Sequence, residues 1–135
     1  MMFVMDIGGN MRIVISNQSE LPIYAQIREQ IKEQILNGSV EEGTVLPSIR
    51  QLAKELGISV ITTTRAYNDL EQEGFIASIQ GRGSIVQKKD NNMIREQYMK
   101  RIEEHLESAI ATAKQLEMEE DELIMILKNL MKSDE

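Results

Sequence analysis

Residues 46–86 read LPSIRQLAKELGISVITTTRAYNDLEQEGFIASIQGRGSIV, and the order of signals in this stretch decides the fold. Ser48 with Gln51 three residues later has the spacing of a capping box and predicts a helix opening at Ile49. Ile49, Leu52, Ala53 and Leu56 recur at helical spacing and define one buried stripe, and Gly57 supplies the left-handed residue that ends the helix. Ile58 then turns into the core and Ser59 caps a second helix, whose inward face is Thr63, Ala66, Tyr67 and Leu70 and which runs down to Gly74. Two short helices joined by a tight glycine-containing turn form the helix-turn-helix pattern, in which the second helix reads bases in a DNA major groove. Residues 75–79 and 84–88 are strand-like and bracket Gln80-Gly81-Arg82-Gly83, which predicts a hairpin. Its two glycines let the backbone turn sharply and approach a phosphate or minor groove, with Arg82 projecting from the tip. This hairpin is expected to be a wing.

LPSIRQLAKELG followed by TTTRAYNDLEQEGFI and QGRGSIV resembles the DNA-binding domain of GntR-family bacterial transcription regulators, over roughly residues 21–88. The short all-helical remainder and the PIYAQI of the preceding helix look most like the YtrA-like subfamily. The resemblance implies that Arg50, the start of the recognition helix around Ser59 to Thr64, and the Gln80-Gly81-Arg82 tip meet DNA. With Ser48, Arg65 and Gly83 added, the expected DNA-binding set is Ser48, Arg50, Ser59, Thr62, Thr64, Arg65, Gln80, Gly81, Arg82 and Gly83. Ser59, Thr62 and Thr64, with Arg65 nearby, are expected to supply most of the base readout, and their hydroxyls and methyls suit an A·T-leaning half-site. Family members often carry Asn-Pro-Asn or an arginine near the start of that helix; here the residues are Ser59-Val60-Ile61.

The net charge of −7 argues against a nucleic-acid partner until its distribution is considered. Residues 1–89 hold nine Lys/Arg and ten Asp/Glu, whereas residues 90–135 hold six and twelve, so the acidity sits in the tail. Between Gly74 and Lys89 there are three basic residues and no acidic one. A locally positive surface can bind phosphates while an acidic remainder restrains non-specific sticking.

Further classes of function are excluded by composition. The chain has no cysteine, which rules out disulfides and thiolate chemistry. His105 is the single histidine, set among Glu103, Glu104 and Glu107 on a predicted helix, and reads as an exposed structural residue rather than a metal ligand. The longest apolar runs are five residues, too short for a membrane span or a signal core, so a cytoplasmic location is expected. There is no P-loop, no GxGxxG after a strand, no nucleophile elbow and no lysine in a cofactor-binding context. Neither an enzyme nor a bound cofactor or metal is expected.

Outward from the central stretch, residues 1–20 read as an N-terminal extension in which MRIVIS alternates and could be an edge strand. The chain could equally start at Met11 without touching the family-like region, and residues 1–10 receive no function. Residues 21–37 predict a helix with Pro22 in its first turn and Ile23, Tyr24, Ile27, Ile31 and Ile35 as its apolar stripe. Arg28, Glu29, Lys32 and Glu33 lie off that stripe. Thr44-Val45-Leu46 could pair with the wing. Residues 21–89 are thus read as the winged domain, and residues 90–135 as a helical dimerisation domain.

In that last part Ile94, Tyr98, Ile102, Leu106, Ala109, Ile110 and Ala113 make a stripe about five turns long, roughly 30 Å. A second helix carries Leu123, Ile126, Leu127, Leu130 and Met131, and the two are expected to form an antiparallel hairpin. Its remaining apolar face asks for a partner, and a second copy of the chain is the simplest one. The fold class expected is therefore mainly α with a small β wing: a winged helix-turn-helix domain followed by a two-helix dimerisation hairpin. The expected function is a homodimeric regulator, a repressor, that binds double-stranded DNA at an inverted repeat. The resemblance implies control of a transporter operon, often of the ABC type. A C-terminal hairpin this small leaves little room for a deep effector pocket of roughly several hundred Å³, and the question of a small-molecule effector stays open. The competing readings are a protein-interaction module on a winged scaffold, and an RNA binder. Arg82 between glycines weighs against the first, and the chain's five aromatic residues offer no stacking platform for the second.

Overall fold

The computed structural model describes residues 2–7, 11–88 and 90–133. Met1, Gly8, Gly9, Asn10, Lys89, Asp134 and Glu135 entered the sequence reading through the N-terminal extension, the basic wing segment and the acidic tail; they lie outside the described residues. The elements in chain order are β1 (Met2–Ile7), β2 (Met11–Ser16), α1 (Ile23–Leu36), α2 (Ile49–Leu56), α3 (Val60–Gln72), β3 (Ile76–Ile79), β4 (Gly83–Val86), α4 (Asn91–Gln115) and α5 (Glu120–Ser133). They divide into two compact units, Met1–Asp90 and Asn91–Glu135.

Three helices build the first unit. α3 is the central helix: α1, with Ile27, Ile31 and Ile35 buried, packs on one part of it and α2, with Leu52 and Leu56 buried, on another, while Thr63, Ala66, Leu70 and Phe75 are fully enclosed. The stripes read from the sequence are the buried faces, because residues three and four apart share one side of a helix. Ser48 caps α2 by accepting from the Gln51 amide at 3.1 Å. Gln51 turns its own amide to Glu55, so the capping box closes from one side. Gly57 ends α2 at φ 68°, a left-handed conformation that a side chain would strain.

The N-terminal strands are where the structure departs most from the sequence reading. Residues 11–16 are no appendage: Met11, Ile13 and Ile15 are buried, and β2 pairs antiparallel with β1, which the sequence reading did not assign as a strand. On its other edge β2 meets side chains. Gln34, Gln30 and Gln26, at successive four-residue steps of α1, each accept from one β2 amide and donate to the carbonyl of the same residue. These pairs are with Arg12 (2.7 and 2.7 Å), Val14 (2.7 and 2.6 Å) and Ser16 (2.9 and 2.9 Å). A carboxamide carries the donor and acceptor of a peptide group, so three glutamines do the work of a neighbouring strand and cover an edge that would otherwise be open.

Lys32, which lies off the apolar stripe of α1, is buried all the same. Its side chain is 4% exposed, with Nζ 3.0 Å from Glu73 Oε2, 3.6 Å from Glu29 Oε1 and 5.6 Å from the centre of the Phe75 ring. Arg28, one turn earlier, bonds Asp69 of α3 at 2.9 Å. Two ion pairs therefore tie α1 to the C-terminal end of α3.

β3 and β4 form the hairpin, in the register Ile76↔Val86 to Ile79↔Gly83. Val45 bridges Ile85, and Leu46 N donates to Ser84 O at 2.8 Å, so residues 44–46 lie along β4 through an isolated bridge.

In the second unit the two predicted helices are present, but the antiparallel hairpin is not closed along its length. Among the described residues of α4 and α5 only Ala113 is buried. The helices meet at their elbow, where Met118 N donates to Ala113 O at 3.0 Å and Glu117 takes φ 53°. Ile102, Leu106 and Ile110 on α4 and Ile126, Leu127 and Leu130 on α5 are all exposed. Ile94 and Leu123 are half-buried and Tyr98 is exposed. The loop-proximal stripe alone is too small to bury both faces against each other.

Candidate nucleic-acid interface

The candidate interface comprises the start of α2, the first two turns of α3 and the tip of the β3–β4 hairpin. Ser59 fixes where α3 begins: its Oγ accepts from the Thr62 amide at 3.0 Å and donates to Thr62 Oγ1 at 2.8 Å. Thr63 Oγ1 and Thr64 Oγ1 donate back to the carbonyls of Ser59 and Val60, at 3.1 and 2.7 Å. Tyr67, buried one turn further on, donates its hydroxyl to Pro47 O at 2.7 Å and so clamps α3 against the entrance of α2. Burial pushes the Tyr67 phenol pKa well above its ordinary range.

Arg65 is exposed, yet it is not loose. Its guanidinium carbon lies 3.8 Å from the centre of the Tyr24 ring on α1, a stacking distance at which a cation is held by the ring face. Arg28 approaches the same ring at 5.7 Å. Burial works against the Arg28 charge, but its hydrogen bonds to Asp69 and Glu29 outweigh that and raise its pKa.

The hairpin is anchored to α3 by Glu71, which accepts from Ser78 N at 3.1 Å and from Ser78 Oγ at 3.3 Å. At its tip Arg82 N donates to Ile79 O at 2.9 Å across Gln80 and Gly81, and Gly81 has φ 82°. A positive φ at the third place of such a turn is the type II pattern and favours glycine there. Gln80, Gly81, Arg82 and Gly83 are all exposed.

The structure thus gathers Ser59, Thr62, Thr64 and Arg65 on the first turns of α3, puts Ser48 and Arg50 at the opening of α2, and holds Gln80, Gly81, Arg82 and Gly83 at the hairpin tip. Thr62 and Thr64 are half-buried, and the hydroxyl hydrogens of Ser59 and Thr64 already serve bonds within α3. The residue the sequence reading passed over is Ile61, 83% exposed in the first turn of α3, beside Val60 at 45%. The signal was present: Ile61 lies off the Thr63, Ala66, Tyr67, Leu70 stripe, and an aliphatic residue off the stripe has no core to fill. Among the described residues no cluster of His, Asp and Glu could hold a metal ion, and no helix is long and apolar enough to cross a membrane.

Helix, turn, capped helix and a glycine-tipped hairpin tied to that helix define the winged helix-turn-helix class of DNA-binding domain. Residues 23–86 match the bacterial regulatory proteins, gntR family. The chain is 38% identical over 101 residues to the HTH-type transcriptional repressor YtrA of Bacillus subtilis, covering 75% of this chain and 78% of that one. A GntR family transcriptional regulator from Listeria monocytogenes shares the fold with a TM-score of 0.65 at 28% identity, covering 85% of this chain and 98% of that chain. YtrA from Sulfolobus acidocaldarius, a GntR-family transcription factor, is 34% identical with a TM-score of 0.53, covering 88% and 96%. The chain belongs to the GntR family, and with it to the DNA-binding transcription regulators rather than to the enzymes.

Proposed function

We propose that the protein is a homodimeric repressor in the bacterial cytoplasm that binds an inverted-repeat operator, with Ser48 and Arg50, the start of α3 and the Arg82 wing on DNA, and α4 with α5 holding the two copies together. One observation carries the DNA face. Arg50, Arg65 and Arg82 are exposed and, like Arg12, Lys54 and Lys88, have no carboxylate partner among the described residues, while Arg28 and Lys32 of the same unit are paired with Glu29, Asp69 and Glu73; what sets the three arginines apart is their place at the start of α2, on the first turns of α3 and at the hairpin tip. Cations left unpaired on one functional surface favour a polyanion, since each phosphate contact releases condensed counterions. The dimer reading rests on the exposed stripes of α4 and α5, and two-fold symmetry in the protein then demands two-fold symmetry in the site. The proposed target, an operon for an ABC-type transporter, is what the resemblance to the YtrA-like subfamily implies.

Selection of fragments from the organism's own genomic DNA tests all of this together. The expected result is enrichment of an inverted repeat whose half-site centres lie about one helical turn apart, roughly 10 bp, upstream of transporter genes. Enrichment of no sequence, or of a lone asymmetric site, would contradict it.

A further inference from the structure

Among the large apolar side chains exposed in the described residues, Ile61 is the most exposed, at 83%; Leu116 follows at 71%. It is the second residue of α3, and at about 100° per residue it stands about 200° around the helix from the fully buried Thr63. It faces away from the core. Nor does helix formation call for it, because β-branched residues are weaker helix formers than the straight-chain residues usual on open helix faces.

The chemistry around it narrows what it meets. Ser59 Oγ donates to Thr62 Oγ1 and Thr64 Oγ1 donates to Val60 O, so two of the three hydroxyl hydrogens are used within the helix, and only that of half-buried Thr62 is left over. Beside them the first turn of α3 presents hydrocarbon outward, from Ile61 and part of Val60. In a major groove the base edges offer one hydrocarbon group, the C5 methyl of thymine. The cap at Ser59 fixes the first turn, and branching at Cβ confines Ile61 to one dominant rotamer. The methyls are therefore pre-positioned. Arg50, Arg65 and Arg82, exposed and without carboxylate partners, favour a polyanionic partner over the apolar patch of another protein.

Building on the DNA-binding reading above, we propose that Ile61 is a specificity-determining residue that recognises a thymine methyl in each half-site. Ser59, Thr62 and Thr64 then act mainly as the frame that places it. This makes the apolar contact primary where the hydroxyls were expected to be.

The test uses the full-length protein and a duplex selected with it, in which each thymine of a half-site is replaced in turn by deoxyuridine. That substitution removes the methyl and keeps the base pair and its hydrogen-bonding atoms. Wild type should lose affinity by about four- to tenfold at one or two positions, the scale of one or two buried methyl groups. Ile61→Ala should bind thymine and deoxyuridine duplexes within about twofold of each other at those positions, with an unchanged melting temperature. Ile61→Val should keep part of the discrimination. Wild type that binds but ignores every deoxyuridine overturns the assignment, and so does Ile61→Ala that still discriminates. If Ile61→Ala binds DNA as tightly as wild type, the side chain makes no contact with the bases and the assignment fails. Failure of wild type to retain any duplex would overturn the DNA reading itself, and is visible before any variant is made.

Discussion

The guanidinium of Arg65 lies flat enough over Tyr24 to bring its carbon within 3.8 Å of the ring centre. The first helix thereby fixes a cation on the recognition helix. A contact of this kind at a solvent-facing site contributes about 0.5–1 kcal/mol, and here the benefit is a pre-set side-chain direction. Tyr24→Leu should weaken operator binding by about two- to fivefold in fluorescence anisotropy while leaving the circular dichroism spectrum unchanged. In an Arg65→Ala background the same change should have little further effect, because the two residues act through one contact. Additive losses would separate Tyr24 from DNA binding.

The Lys32–Glu73 pair predicts an asymmetric response to mutation. Lys32→Ala leaves the Glu73 carboxylate without its ammonium in a largely enclosed position, and should cost about 3 kcal/mol in urea unfolding. Glu73→Gln should cost less, since Glu29 Oε1 remains 3.6 Å from the ammonium. Replacing both together, Lys32→Met with Glu73→Gln, should recover most of the loss. Equal costs for the two single variants would show that Glu29 does not compensate the ammonium when Glu73 is lost.

Tyr67 gives the fold an alkaline limit. Its phenol is buried and its folded pKa lies above the unfolded value of 10.0. A raised pKa contributes stability that is complete below the unfolded value and is lost as pH climbs beyond it, because the unfolded chain ionises first. Unfolding free energy should therefore hold steady with respect to this group up to about pH 10 and fall above it. Tyr67→Phe should remove that fall, and should lower stability by about 1 kcal/mol at neutral pH by leaving Pro47 O without its donor. Urea titrations from pH 8 to 11 on both proteins check the sign.

Much of this architecture is written in local signals. The α2 stripe, the Gly57 stop, the Ser59 cap and the glycine-tipped turn each report a requirement of the backbone near them, and each structure formed where the residues called for it. What was not legible depended on partners distant in sequence. Lys32 looks like a surface residue until Glu73, 41 positions away, is known to face it. Gln26, Gln30 and Gln34 look like the polar side of α1 until β2 is laid along them. Ile61 was legible as an exception to its helix pattern, but an exception states only that the core does not hold a residue.

The exposed stripes of α4 and α5 predict that dimerisation is lost by polar substitution there. Ile102→Lys with Leu106→Lys should convert the protein to a monomer by analytical ultracentrifugation at micromolar concentration. The thermal transition of the first unit should stay in place. These side chains are 54% and 43% exposed in the single chain, so the change should not disturb the folded monomer. Burying four or five residues of this size contributes on the order of 1.5–3 kcal/mol each before the entropy of association is subtracted. A variant that remains dimeric would move the interface elsewhere.

The most direct measurement of the central claim is the salt dependence of binding to a selected duplex by wild type, Arg50→Ala and Arg82→Ala. Each arginine that meets a phosphate should reduce the slope of log K against log[salt] by about one unit when removed, and each that reads a base should instead cost about 1–3 kcal/mol across the series. The account predicts one of these two signatures for each arginine, with Arg82→Ala folding as wild type because its side chain projects from the hairpin tip. Affinities and slopes indistinguishable from wild type for both variants would contradict it.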